Sequence, residues 1–124
     1  MLMRAENACL MIVDVQQRLL SAMDSPRSVL SGCSLMMKAA GVLDVPIVVT
    51  EQYPEGLGPT VEPLAELADD DAFFSKVHFS SAKNTAIRGK METLKPDQIV
   101  IAGIEAHVCV LQSALGFMEL GYQC

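Results

Sequence analysis

The sequence is short of basic charge. Nine lysines and arginines stand against fifteen aspartates and glutamates, for a formal charge of −6. There is no basic patch to meet a phosphate backbone, so nucleic acid is not an expected partner. Long apolar runs are also missing. The longest fall well below the ~20 residues needed to span a bilayer, so no membrane partner is expected either. The opening stretch MLMRAENACLMIVDVQQ reaches Asp14 at once, lacks a small-residue cleavage site, and does not read as a signal peptide. The four cysteines, Cys9, Cys33, Cys109 and Cys124, form no C-x-x-C pair and no disulfide framework. They read as reduced, mostly buried thiols of a cytoplasmic protein. Histidine is limited to His78 and His107 with no D-x-H pattern, so no metal site is expected. No G-x-G-x-x-G or P-loop follows the first apolar run. The VDVQQR found there leaves no room for a pyrophosphate against the backbone, and no cofactor is expected.

What is present points to one packed domain over residues 1–124, with 51% of side chains apolar. Four short apolar runs stand out: Cys9 to Val15, Val45 to Glu51, Asp71 to Phe79 and Asp97 to Gly103. Their length, β-branching and lack of alternation predict strands buried on both faces. Helical patterns lie between them. Val29, Cys33, Met36, Ala40 and Leu43 share one face. A second helix is predicted from Ser80 or Ser81 to before Pro96. A last one carries a stripe of Val108, Leu111, Leu115 and Met118 and stops near Gly121. Strand–helix alternation of this kind predicts an α/β fold, a parallel sheet with helices on both faces. The closing ELGYQC reads as a helix end followed by the first residues of another strand. The stretch EQYPEGLGPTVEPL, Glu51 to Leu64, is the longest irregular piece and reads as a lid or site wall.

In open parallel sheets, ligands sit beyond the carboxyl ends of the strands, where strand order reverses. Asp14, Lys76 and Cys109 fall at or near such ends. If the first and fourth strands are neighbours, Asp14 faces Cys109. In the first turn of a helix, free N–H groups and the dipole would favour a thiolate and hold an oxyanion. A nearby carboxylate can take the thiol proton, and an ammonium can organise the charge. Each residue also has a plainer reading. Cys109 can be a small buried hydrophobe, Asp14 a cap or turn former, and Lys76 a surface lysine. His107 lies two positions from Cys109, which on a helix does not bring the side chains face to face. It reads as a pocket or capping residue rather than a base.

Taken together and in order, MIVDVQ, FFSKVHFSS and IAGIEAHVCVLQSAL resemble the isochorismatase-like cysteine hydrolase family. VVTEQYPEGLGPT is similar to its subgroup of isochorismatase-domain proteins. The resemblance implies a three-layer αβα Rossmann-like sandwich, homo-oligomeric, with further strands after the point where this chain stops. It implies a triad of Asp14 as base and then acid, Lys76 as organiser and Cys109 as nucleophile. It also implies an oxyanion hole from the backbone N–H groups of Glu105 and Cys109, and a cis peptide at Ile104–Glu105. Gln52, Tyr53, Phe79 and His107 are expected to line the pocket for a small-molecule substrate. Nicotinamidases of the family bind a metal after the second strand. TEQYPEG there holds no histidine, so no metal is expected. Cys109 favours amide-type chemistry over hydrolysis of isochorismate. The expected function is therefore a hydrolase acting on a small carbon–nitrogen substrate. A catalytically silent scaffold or small-molecule binding module is the alternative.

Overall fold

The computed structural model describes residues 2–124. Its elements, in chain order, are β1 (Ala8–Val13), α1 (Gln17–Leu20), α2 (Pro26–Val42), β2 (Ile47–Gln52), α3 (Pro54–Leu57), α4 (Glu62–Ala65), β3 (Phe73–Lys76), α5 (Thr85–Leu94), β4 (Gln98–Gly103) and α6 (Leu111–Glu119). The four strands form one parallel sheet in the order β3-β2-β1-β4. Strand order reverses between β1 and β4, so the ends of these two strands form the switch point that the sequence pattern pointed to.

All six residues of β1 are buried, as its unbroken apolar run requires. The pleat sends them to two cores. Cys9, Met11 and Val13 pack with Ile87 and Met91 of α5 and Phe117 of α6. Leu10 and Ile12 pack with Cys33, Met37 and Ala40 of α2 and Leu64 of α4. The chain is thus a three-layer αβα sandwich. At the far edge, Gln123 pairs in parallel with Gln98 at the start of β4, as the strand-like reading of the closing residues anticipated.

Three elements differ from the sequence pattern. The third strand covers only Phe73–Lys76. Beyond it, residues 77–79 are exposed, and the carbonyls of His78 and Phe79 accept from the lysine, as described below. The helix predicted from Ser80 or Ser81 starts at Thr85. Ser81–Lys83 forms a separate 3-10 turn, and Asn84 caps α5 by accepting the Ile87 N–H at 3.0 Å. The stripe of α6 is rotated. Cys109, Ser113 and Phe117 face the sheet, while Leu111, Leu115 and Met118 are 45%, 48% and 55% exposed. Gly116 explains the choice of face. A Cβ there would lie 2.6 Å from Ser80 Oγ and 2.8 Å from Ala82 Cβ, so only glycine lets this side of α6 approach the Ser81–Lys83 turn.

Candidate active site

The site is assembled at the carboxyl ends of β1, β2, β3 and β4. Asp14 follows β1 directly and takes a left-handed conformation, φ 54°, which aspartate tolerates better than most residues. Its N–H donates to the carbonyl of Thr50 at 3.1 Å, and its Oδ1 accepts from Thr50 Oγ1 at 2.8 Å. Its Oδ2 accepts from Lys76 Nζ at 3.0 Å. Neither side chain of this ion pair has any exposed surface. Burying two charges is tolerated only when both are matched and their remaining hydrogen bonds are filled. Lys76 Nζ meets that condition with three further acceptors: Gln52 Oε1 at 2.7 Å and the carbonyls of His78 and Phe79, both at 3.1 Å.

Cys109 arrives from the opposite side of the switch point. Gly103 ends β4 with φ 129°, and a Cβ there would fall 2.2 Å from the Val13 carbonyl oxygen. Glycine is therefore required for β4 to turn this close to β1. The peptide Ile104–Glu105 is cis, as the family resemblance implied. A π-helical turn, Ala106–Val110, then lifts the chain into α6, with Val110 N–H reaching back to the Glu105 carbonyl at 3.2 Å. Cys109 sits inside this turn and is 6% exposed.

The electrostatics of Cys109 correct the sequence-based expectation of a favoured thiolate. Burial, followed by the neighbouring Asp14 carboxylate, pushes its thiol up to about 11 against an ordinary 9.0, and Lys76 offsets only part of this. The thiol is therefore neutral at rest, beside a carboxylate able to accept its proton. Cys9, which lies in the core, is pushed up to about 12 by burial, with Lys90 offsetting a little of this.

Asp14, Lys76, Cys109 and Gln52 come together. The other residues singled out from the sequence sit at the rim. Tyr53 is exposed, its ring lying over Gly56. The Phe79 ring points outward while its carbonyl holds Lys76. His107 is exposed, its Nε2 4.0 Å from Glu105 Oε2. Two residues were missed. Thr50 anchors Asp14, and the end of the second apolar run offered that signal. Gln16, fully buried, accepts from Gln52 N–H at 2.7 Å and donates to the carbonyls of Gln52 at 2.9 Å and Gly58 at 2.8 Å. No sequence pattern marked it. Together with Glu51, which accepts from the N–H and hydroxyl of Thr60, it pins the 53–60 segment to the sheet. The stretch Glu51 to Leu64, read from the sequence as irregular, thus holds two short helices, α3 and α4, with residues between them tied to the sheet.

Among the described residues no group of histidine, cysteine, aspartate or glutamate could hold a metal ion, and no helix is long and apolar enough to cross a membrane. A groove of about 630 Å³ lies beside β4 and Tyr122, away from Cys109.

The chain and its parallel αβα sheet have clear relatives. The isochorismatase domain model matches residues 8–124, and the chain belongs to the isochorismatase family, with its hydrolase fold. Isochorismatase family protein 1B of Dictyostelium discoideum is 37% identical over 121 residues, covering 94% of this chain and 59% of that relative. Isochorismatase domain-containing protein 2 of Rattus norvegicus is 35% identical, covering 95% and 55%. Among solved structures, the MAR1 ribonuclease of Caenorhabditis elegans superposes with a TM-score of 0.89 at 33% identity, covering 97% of this chain and 62% of that one. The chain thus spans under two thirds of the length of these relatives.

Proposed function

We propose that the protein is a cysteine hydrolase of small amide-type carbon–nitrogen substrates, with Cys109 as nucleophile, Asp14 as proton carrier and Lys76 as charge organiser. The observation that carries this reading is the fully buried Asp14–Lys76 pair against which an all but buried thiol is set. A buried charge pair contributes little net stability, so function is the stronger reason to keep one beside a thiol.

In the first step Asp14 takes the proton from Cys109 as Sγ attacks the carbonyl carbon. The backbone N–H groups of Glu105 and Cys109 receive the developing oxyanion. The carbon–nitrogen bond then breaks, and protonated Asp14 returns its proton to the leaving amine. Water, activated by the same carboxylate, cleaves the thioester and restores the thiol. Lys76 holds Asp14 in place between turnovers. Tyr53, Phe79 and His107 form the rim that meets the substrate. A charge of −6 repels a polyanion, so RNA is not the proposed substrate. The outward apolar side chains of α6 offer a surface for the expected homo-oligomer.

The test is a panel of small primary amides and ureides assayed for ammonia release, with the acyl adduct trapped by acid quench and located by mass spectrometry. An adduct on Cys109, with turnover lost in Cys109→Ala, is expected. Turnover that survives Cys109→Ala would overturn the mechanism. If a folded chain neither turns over nor traps an adduct across the panel, the silent binding module takes its place.

A further inference from the structure

We infer that Gln52 is a positioning residue for Lys76 rather than a substrate ligand, and that buried Gln16 fixes it in that role. The inference rests on the catalytic reading of Lys76 given above. Gln52 and Lys76 are register partners, the last residues of β2 and β3. Side chains at paired positions of adjacent strands point to the same face. Gln52 Oε1 therefore meets Lys76 Nζ at 2.7 Å, the shortest of the lysine's four contacts. Its Nε2 donates to the Val77 carbonyl at 3.2 Å, which sets which end of the amide faces the ammonium. All four contacts to Nζ are acceptors, and an ammonium has three N–H donors. The lysine is saturated by the protein. It has no N–H left over for a ligand, so it acts through charge and through its hold on Asp14.

The support behind Gln52 comes from the same segment that carries Asp14. The Gln16 carboxamide bonds both the N–H and the carbonyl of Gln52, much as a neighbouring strand would, and takes the Gly58 carbonyl as well. The backbone of Gln52 is held by Gln16, and its side chain is held by Lys76 and the Val77 carbonyl. Asp14 and Gln16 thus reach Lys76 by two routes, one direct and one through Gln52.

Two variants test the assignment in the full chain. In Gln52→Leu the acceptor is lost at nearly constant size. The slowly exchanging Lys76 ammonium signal, read by nitrogen-15 NMR of lysine side chains, should then disappear as water reaches Nζ. In Gln52→Glu the acceptor is kept and the signal should persist. The added negative charge beside Lys76 should raise the alkylation midpoint of Cys109, whose facing charged groups are Asp14 and Lys76. A rise of about half a pH unit makes labelling about threefold slower below the midpoint. If the ammonium signal is unchanged in folded Gln52→Leu, or the Cys109 profile is unchanged in folded Gln52→Glu, the inference is wrong. The ammonium signal does not depend on what Cys109 does. Loss of that signal in Gln52→Leu together with an unreactive Cys109 would sink the hydrolase reading alone.

Discussion

The two halves of the buried ion pair are unequal partners for Cys109. Asp14 raises the thiol and Lys76 lowers it, so their removal has opposite consequences. Lys76→Met leaves a buried carboxylate with the Thr50 hydroxyl and the Cys109 thiol beside it but no counter-charge. Urea denaturation should show a loss of about 3–5 kcal/mol. Adding Asp14→Asn to Lys76→Met removes the unpaired charge and should recover part of that loss, a non-additivity that a double-mutant cycle measures directly. The positions of these three residues could be read from the sequence, because each closes or follows an apolar run. The sign of the Cys109 shift could not, because it depends on how deeply the fold buries the thiol and then on how near Asp14 comes once β1 and β4 pair.

At the scale of elements, two changes away from the chemistry should disturb the frame. Gly103→Ala forces a side chain into the Val13 carbonyl at a φ of 129°. We expect a cost of at least about 2 kcal/mol in urea, with faster amide exchange along β1 and β4. Gln16→Leu leaves the N–H of Gln52 and the carbonyls of Gln52 and Gly58 without their partner. A loss of about 1–3 kcal/mol is expected, with hydrogen exchange rising in residues 52–60 and little elsewhere. The central strand β1 was legible because burial on both faces writes an unbroken apolar run, whereas β3, partly exposed at the sheet edge, is shorter than its run suggested. The start of α5 was displaced because Asn84, rather than Ser80 or Ser81, supplies the cap. The face of α6 was not legible. Its sequence offers two apolar stripes, and the close packing at Gly116 that selects between them is a tertiary fact. Gln16 gave no signal, since a buried glutamine looks like a surface one until the backbone it bonds is known.

For the whole molecule, the buried thiols predict a specific weakness in alkali. Cys9 and Cys109 are pushed up to about 12 and about 11 from 9.0. In the unfolded chain the thiols lose their protons near the ordinary value, while the folded chain keeps them. Their contribution to stability is therefore complete below about pH 9 and declines as pH rises toward about 12. The melting temperature should fall through that window. Cys9→Val, which keeps the apolar packing and removes the titrating group, should flatten the fall while leaving the neutral-pH value nearly unchanged.

The most direct measurement is the rate of iodoacetamide labelling against pH, read cysteine by cysteine by mass spectrometry, on the wild-type chain and on Asp14→Asn. In the wild type the Cys109 midpoint should lie near 11. Asp14→Asn should bring it down, since the carboxylate that raises the thiol is gone and Lys76 remains, while the profile of Cys9 stays where it was. A Cys109 midpoint that does not move in a folded Asp14→Asn chain would contradict the central claim that the acid and the thiol form one site.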